Sequence, residues 1–232
     1  MSRTQGDKYL NSLKKRYAKA SKKERGQILD EYVQTTGCHR KYAAVVLDEL
    51  AIITRPGADS RRPETASIAR APEPYRKLCA IQAPGTVDGG DVLCAGKTIY
   101  VGLSSRSNLV AVEQMKSFLR PYGYAVKGVQ VNGCLHLKSA VTQVAEDTLL
   151  VNRNWVDAGA FGDMDLIEVN ASEPYGANAL LVGGTVIYPA GYPRTRQRLE
   201  EHGIPLMVVD VSELAKAEGA VTCCSLVFQA SV

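Results

Sequence analysis

The chain has 232 residues, 45% of them hydrophobic and 22% charged, and its 28 Lys/Arg against 24 Asp/Glu give a formal charge of +4. That length and balance predict a globular protein with a full-sized core and argue against a disordered or fibrous chain. The first thirty residues are rich in Lys and Arg with no apolar signal-like stretch, and no later run approaches bilayer length, so a cytoplasmic protein without a membrane span is expected.

Residues 1–42 hold 11 Lys/Arg against 4 Asp/Glu, a balance of +7, whereas 43–232 hold 17 against 20, a balance of −3. The shift predicts two pieces joined near residue 43. In the first, Tyr9, Leu10, Leu13, Tyr17 and Ala20 recur at helical spacing, and Ser21-Lys22-Lys23-Glu24 reads as a capping box for a second helix striped by Ile28, Leu29, Tyr32 and Val33. Thr35-Thr36-Gly37 breaks that helix and Cys38 to Tyr42 begins a third. A basic helical, helix-turn-helix-like segment results, and it resembles the N-terminal helical region of integrase-type transposases. A nucleic-acid contact through these residues is one reading. A solvated lysine-rich face is the other and is favoured, because the third helix stops almost where it starts.

From Ala44 the texture becomes short β-rich runs, in units of two strands, a helix and a third strand. The first unit pairs 44–47 with 51–54, then has a helix over 62–75 and a strand at 78–82. The second has strands at 91–94 and 98–102, a helix over 107–120 and a strand at 124–130. The third has strands at 141–145 and 148–151, an irregular middle and a strand at 166–169. The fourth has strands at 179–182 and 185–188, a helix over 193–202 and a strand at 206–210. A last strand is expected at 222–228. Repeated units of this kind each expose an apolar face that a neighbour must cover, which predicts closure around a common axis.

Three chemistry-bearing strings stand far apart in this scheme: Val87-Asp88-Gly89-Gly90-Asp91, Leu135-His136-Leu137-Lys138-Ser139 and Thr222-Cys223-Cys224-Ser225. A carboxylate, an imidazole and a thiol brought together make a cysteine nucleophile with an oriented acid and base. Each has an ordinary counterpart. Cysteines are usually inert core, Asp-Gly-Gly is a turn sequence, Asp88 competes with Asp91, and neighbouring strand residues point to opposite faces, so one of Cys223 and Cys224 packs inward. The six cysteines show neither a disulfide framework nor a C-x-x-C pair, and His39, His136 and His202 lie in unrelated contexts, so reduced thiols and no metal site are expected, with His39 and His202 at the surface.

The strings VVLDELAIITRPGADSRR, QAPGTVDGGDVL, YVGLSSRSN, GCLHLKS and ELAKAEGAVTCCSLVF together resemble dimethylarginine dimethylaminohydrolase of the pentein, or amidinotransferase, group, over about 44–232. The resemblance implies an α/β fold, a pentein-type propeller of ββαβ modules with about four of five present. It also implies hydrolysis of methylated arginine to citrulline and a methylamine without a cofactor. Cys223 then matches the nucleophile, His136 the general acid and base, and Asp88 the carboxylate beside it. Arg61 and Arg106 match the pair that holds the substrate α-carboxylate, while Cys79, Cys94, Cys134 and Cys224 fall to packing.

One stretch departs from the group's pattern. An acidic stretch ending in Glu-Asp, which grips the guanidinium and supplies a lid, is expected immediately before the segment matching Ala44, and Lys41 and Tyr42 stand there instead. Weakened substrate capture and an uncovered propeller flank that favours association into oligomers are the expectations. The competing functional expectation is a nucleic-acid-binding fusion carrying an inactive hydrolase-like domain.

Overall fold

The computed structural model describes residues 45–46, 50–54, 77–216 and 219–225, all in the second of the two units into which the chain divides, Met1–Arg40 and Lys41–Val232. The basic helical segment, the helix expected over 62–75 and Arg61 lie outside the described residues.

Four three-stranded sheets follow one another along the chain. They are built from β1 (Val45–Val46), β2 (Leu50–Thr54) and β3 (Lys77–Ile81); β4 (Val92–Ala95), β5 (Thr98–Leu103) and β6 (Ala125–Gln130); β7 (Val141–Gln143), β8 (Thr148–Val151) and β9 (Asp165–Glu168); and β10 (Leu180–Val182), β11 (Thr185–Pro189) and β12 (Leu206–Val209). In each, the first strand pairs antiparallel with the second and the third returns parallel to it, with Val92 opposite Val101 and Ile99 beside Val126 in the second module. A parallel return needs a crossover. Helix α1 (Leu109–Leu119) and helix α3 (Pro193–Glu201) provide it in the second and fourth modules, and a 3-10 turn at Ala158–Phe161 provides it in the third. A four-residue helix α2 (Leu137–Ala140) leads into β7.

Strand alternation divides the core. In β5, Ile99 and Val101 join Ala111, Val112, Met115 and Leu119 of α1, while Tyr100 between them faces a second cluster with Leu93, Leu137 and Leu149. In β8, Leu149 and Val151 belong to that second cluster and Leu150 to a third, with Tyr188 and Leu199. Both faces of β5 and β8 are therefore covered, one by the module's own crossover and one by the neighbouring module. β4 packs against β7 and β7 against β10, so the first strands of successive modules line the inner side.

Helix α1 starts two residues later than its pattern suggested because the Asn108 side chain accepts the Ala111 N–H at 3.0 Å and caps it. Helix α3 starts at Pro193, and Glu173 accepts the N–H groups of Arg194 and Thr195 at 3.0 and 2.7 Å. The strand expected over 222–228 is corrected at its start, while 226–228 lie outside the described residues. Val221–Cys224 forms a 3-10 turn, closed by Cys223 N–H on Ala220 O at 3.0 Å and Ser225 Oγ–H on Val221 O at 2.7 Å. Local hydrogen bonds outweigh the β preference of that sequence.

Met115 is fully buried where α1 meets β5. Met115→Ala should lower the unfolding free energy by about 2–5 kcal/mol with an unchanged urea m-value. A loss under about 1 kcal/mol in urea denaturation would contradict this packing.

Candidate active site

Asp88 enters the site from the loop before β4, where it caps the 3-10 turn Gly89–Asp91 by accepting the Gly90 N–H at 3.0 Å. His136 is the extended residue that opens α2, and Ser139 N–H returns to its carbonyl at 3.0 Å. Although 48 residues apart in sequence, the two meet: His136 Nε2 lies 3.5 Å from Asp88 Oδ1, and both side chains are about 15% exposed. That nitrogen has no tighter partner among the described residues. The ring packs on Gly90, where an added Cβ would sit 2.6 Å from His136 Cγ, so only glycine leaves room for the imidazole.

Arg106 reaches the other oxygen of the same carboxylate, with Nη1 3.5 Å from Asp88 Oδ2. Burial of Asp88 works to raise its pKa. The close pairing with His136, the Gly90 N–H and the charge of Arg106 overcome that and hold it below the usual aspartate value.

Beneath this trio lies Asp91, fully buried. Its Oδ1 accepts Leu137 N–H at 3.0 Å, and its Oδ2 accepts Ser104 Oγ–H at 2.7 Å and Ser107 Oγ–H at 2.6 Å. Each hydroxyl also accepts a backbone N–H, Ser104 from Arg106 at 3.0 Å and Ser107 from Asp88 at 2.9 Å. The segments carrying Asp88, Arg106 and His136 thus hang on one carboxylate. Asp91 therefore orients backbone while Asp88 faces the imidazole, which separates the two competing acids. The flanking Ser104-Ser105-Arg106-Ser107 run was the sequence signal for the hub, since paired hydroxyls are what a buried carboxylate needs.

Cys223 is exposed on its 3-10 turn. Thr222, just before it, bonds the side chain of Asn178, which also bonds the carbonyl of Lys138, two residues after His136. The cysteine turn and the histidine turn therefore share one intermediary. Burial pushes the Lys138 ammonium below the ordinary lysine pKa, offset in part by neighbouring Cys223, Asp88, Cys94 and Asp91, which places Lys138 near both turns. Cys79, Cys94 and Cys134 are partly buried against the core clusters, as expected for packing residues. Burial raises the Cys134 thiol to about 11. His202 is exposed, as expected for a surface residue. Among the described residues no helix is long and apolar enough to cross a membrane.

No family model matches the chain. The N(G),N(G)-dimethylarginine dimethylaminohydrolase of Pseudomonas aeruginosa is 40% identical over 180 residues, covering 77% of this chain and 71% of that protein. The enzyme of the same name from Streptomyces coelicolor is 40% identical over 188 residues, covering 79% and 71%. The chain belongs to the dimethylarginine dimethylaminohydrolase family. The solved structure of the Pseudomonas enzyme, a cysteine-to-serine mutant complexed with citrulline, superposes with a TM-score of 0.73 at 38% identity, covering 80% of this chain and 73% of that one. An amidinotransferase of the Microseira wollei saxitoxin pathway, 16% identical with a TM-score of 0.70 and covering 82% and 68%, shares the fold. The expected pentein-type α/β propeller is thus the fold of this family member. The transposase resemblance of residues 1–42 gains no support from these relatives.

The lowered pKa of Asp88 sets a pH dependence. A carboxyl whose folded pKa lies below its unfolded value of 3.8 adds stability that is present above that value and lost as pH falls through the folded one. The difference in unfolding free energy between the native chain and Asp88→Asn should therefore narrow from about pH 5 downward. A difference that stays flat to pH 2 in urea titrations would show the carboxyl is not ion-paired.

Proposed function

We propose that the chain hydrolyses dimethylarginine to citrulline and dimethylamine, with Cys223 as nucleophile, His136 as general acid and base and Asp88 as the carboxylate that orients it. The observation that carries this reading is the 3.5 Å pairing of Asp88 with His136, whose turn is joined through Asn178 to the Cys223 turn. A family member with that arrangement has the parts for amidine hydrolysis by a thiol.

A guanidinium is cationic and resonance-stabilised, so its central carbon resists water and needs a thiolate together with a proton for the departing amine. The Cys223 thiolate attacks that carbon and forms the C–S bond. His136 gives its proton to dimethylamine as the C–N bond breaks, leaving a thiouronium on sulfur. Water, deprotonated by His136, then adds to the same carbon, the C–S bond breaks, and citrulline leaves with the thiolate restored. Asp88 against Nε2 orients the ring and leaves Nδ1 for the transfers. Arg106, a third exposed, exchanges Asp88 for the substrate α-carboxylate, and Arg61 supplies the second guanidinium. Lys41 and Tyr42, where the group carries acidic residues, make capture of the guanidinium weak. In this reading residues 43–232 are the hydrolase unit and 1–42 a basic appendage. The free thiol fits a reducing cytoplasm.

Purified full-length protein incubated with dimethylarginine should release citrulline, measured colorimetrically, and Cys223→Ser should release none. Asp88→Asn should lower kcat by about 10²–10⁴, and Arg106→Ala should raise KM more than it lowers kcat. Citrulline no higher than in the Cys223→Ser control would remove the reading.

A further inference from the structure

Asn178 is 6% exposed between the fully buried Ala177 and the 2% exposed Ala179, a polar side chain set among apolar neighbours just before β10. A buried amide must find partners. Its partners come from two remote segments. Nδ2 donates to Lys138 O at 3.0 Å and to Thr222 Oγ1 at 2.8 Å, and Oδ1 accepts Thr222 N–H at 3.2 Å. The orientation of the amide is determined by those groups, because the Thr222 N–H only donates and the Lys138 carbonyl only accepts. Both amide hydrogens are used.

The residue is itself held from behind. Thr142 in β7, 3% exposed, donates its hydroxyl to Ala177 O at 2.6 Å and accepts Ala179 N–H at 3.1 Å, which fixes the backbone on both sides of Asn178. On the far side each grip falls on a short closed turn next to a reacting group. Lys138 follows His136 by two residues in α2, and Thr222 directly precedes Cys223 in its 3-10 turn. Such turns have little slack, so the place of the clamp is passed on to the neighbouring side chain.

We propose that Asn178 is a positioning residue that fixes the Cys223 sulfur relative to the His136 imidazole by clamping Lys138 and Thr222 together. The proposal rests on the roles given to Cys223 and His136 above. A staple of stability alone would act on all kinetic parameters and all parts of the fold together. A positioning clamp acts on the chemical step and on one turn.

The test uses the full chain and four variants, with kcat and KM for dimethylarginine read beside hydrogen–deuterium exchange. Asn178→Ala and the isosteric Asn178→Asp, which has no donor for the Lys138 carbonyl, should each lower kcat roughly 10- to 100-fold with KM within about threefold. Thr222→Ser, which keeps the hydroxyl, should restore kcat to within about threefold of the native chain, and Thr222→Val should not. Exchange in the peptide 219–225 should quicken about tenfold while 98–119 stays unchanged. Unchanged kcat, unchanged exchange at 219–225, or faster exchange throughout the fold would each overturn the clamp. If the native chain makes no citrulline, the hydrolase reading fails by itself and the exchange arm still decides the clamp. If Asn178→Ala does not fold, the two Thr222 variants carry the same comparison.

Discussion

One buried carboxylate carries the architecture of the site. Asp91 has no contact with solvent, and the interior accepts it because a backbone N–H and two hydroxyls surround its oxygens. Hydrogen bonds to a charged group contribute about 1.5–3 kcal/mol each, and donors stranded by its loss would bear a desolvation cost of similar size. Its partners belong to two segments, Ser104–Ser107 and Leu137, that lie apart from each other and from Asp91 in sequence, so the carboxylate acts as a gauge between them. Gly102 of β5 makes the approach possible, since a Cβ there would lie 2.8 Å from Leu137 Cβ and 2.9 Å from Asp91 Oδ1.

The repeat explains why these groups converge. Asp88 lies just before β4, His136 just before β7 and Asn178 just before β10, so three modules each deliver a side chain of the candidate site at the entrance to the inner strand. Arg106 follows β5, which runs antiparallel to β4 and therefore ends at the same edge of the sheet. Packing of β4 on β7 and of β7 on β10 carries those entrances to a common region. Apolar burial between modules positions the polar groups, and the hydrogen bonds of Asp91 and Asn178 refine that placement.

Much of the module plan was legible in the sequence because strand alternation and helix periodicity are local signals. The strand pairs at 92–95 with 98–103 and 180–182 with 185–189 fall within a residue or two of where their patterns put them. The turn at Val221–Cys224 was not, because a β-branched, apolar run reads as strand, whereas backbone bonds within the turn and the side chains of Asn178 and Ser225 hold it as a turn. Of the site, Asp88 and His136 were legible as motif residues. Asn178 carried no such sign, since an asparagine in Gly-Ala-Asn-Ala-Leu reads as loop polarity, and its meaning depends on partners 40 and 44 residues away.

The charges around Asp88 give the last link. Burial works against the charge of the Asp88 carboxylate, and it has two partners that offset this, an imidazole on one oxygen and a guanidinium on the other. Only the imidazole is nearly enclosed. Arg106 is a third exposed and reaches the carboxylate at 3.5 Å, a geometry that adds field without the strength of a close forked pair. In the proposed mechanism this asymmetry is useful. Arg106 can transfer to an incoming carboxylate at small cost, while Asp88 keeps its contact with His136 and the ring keeps its orientation for the proton transfers.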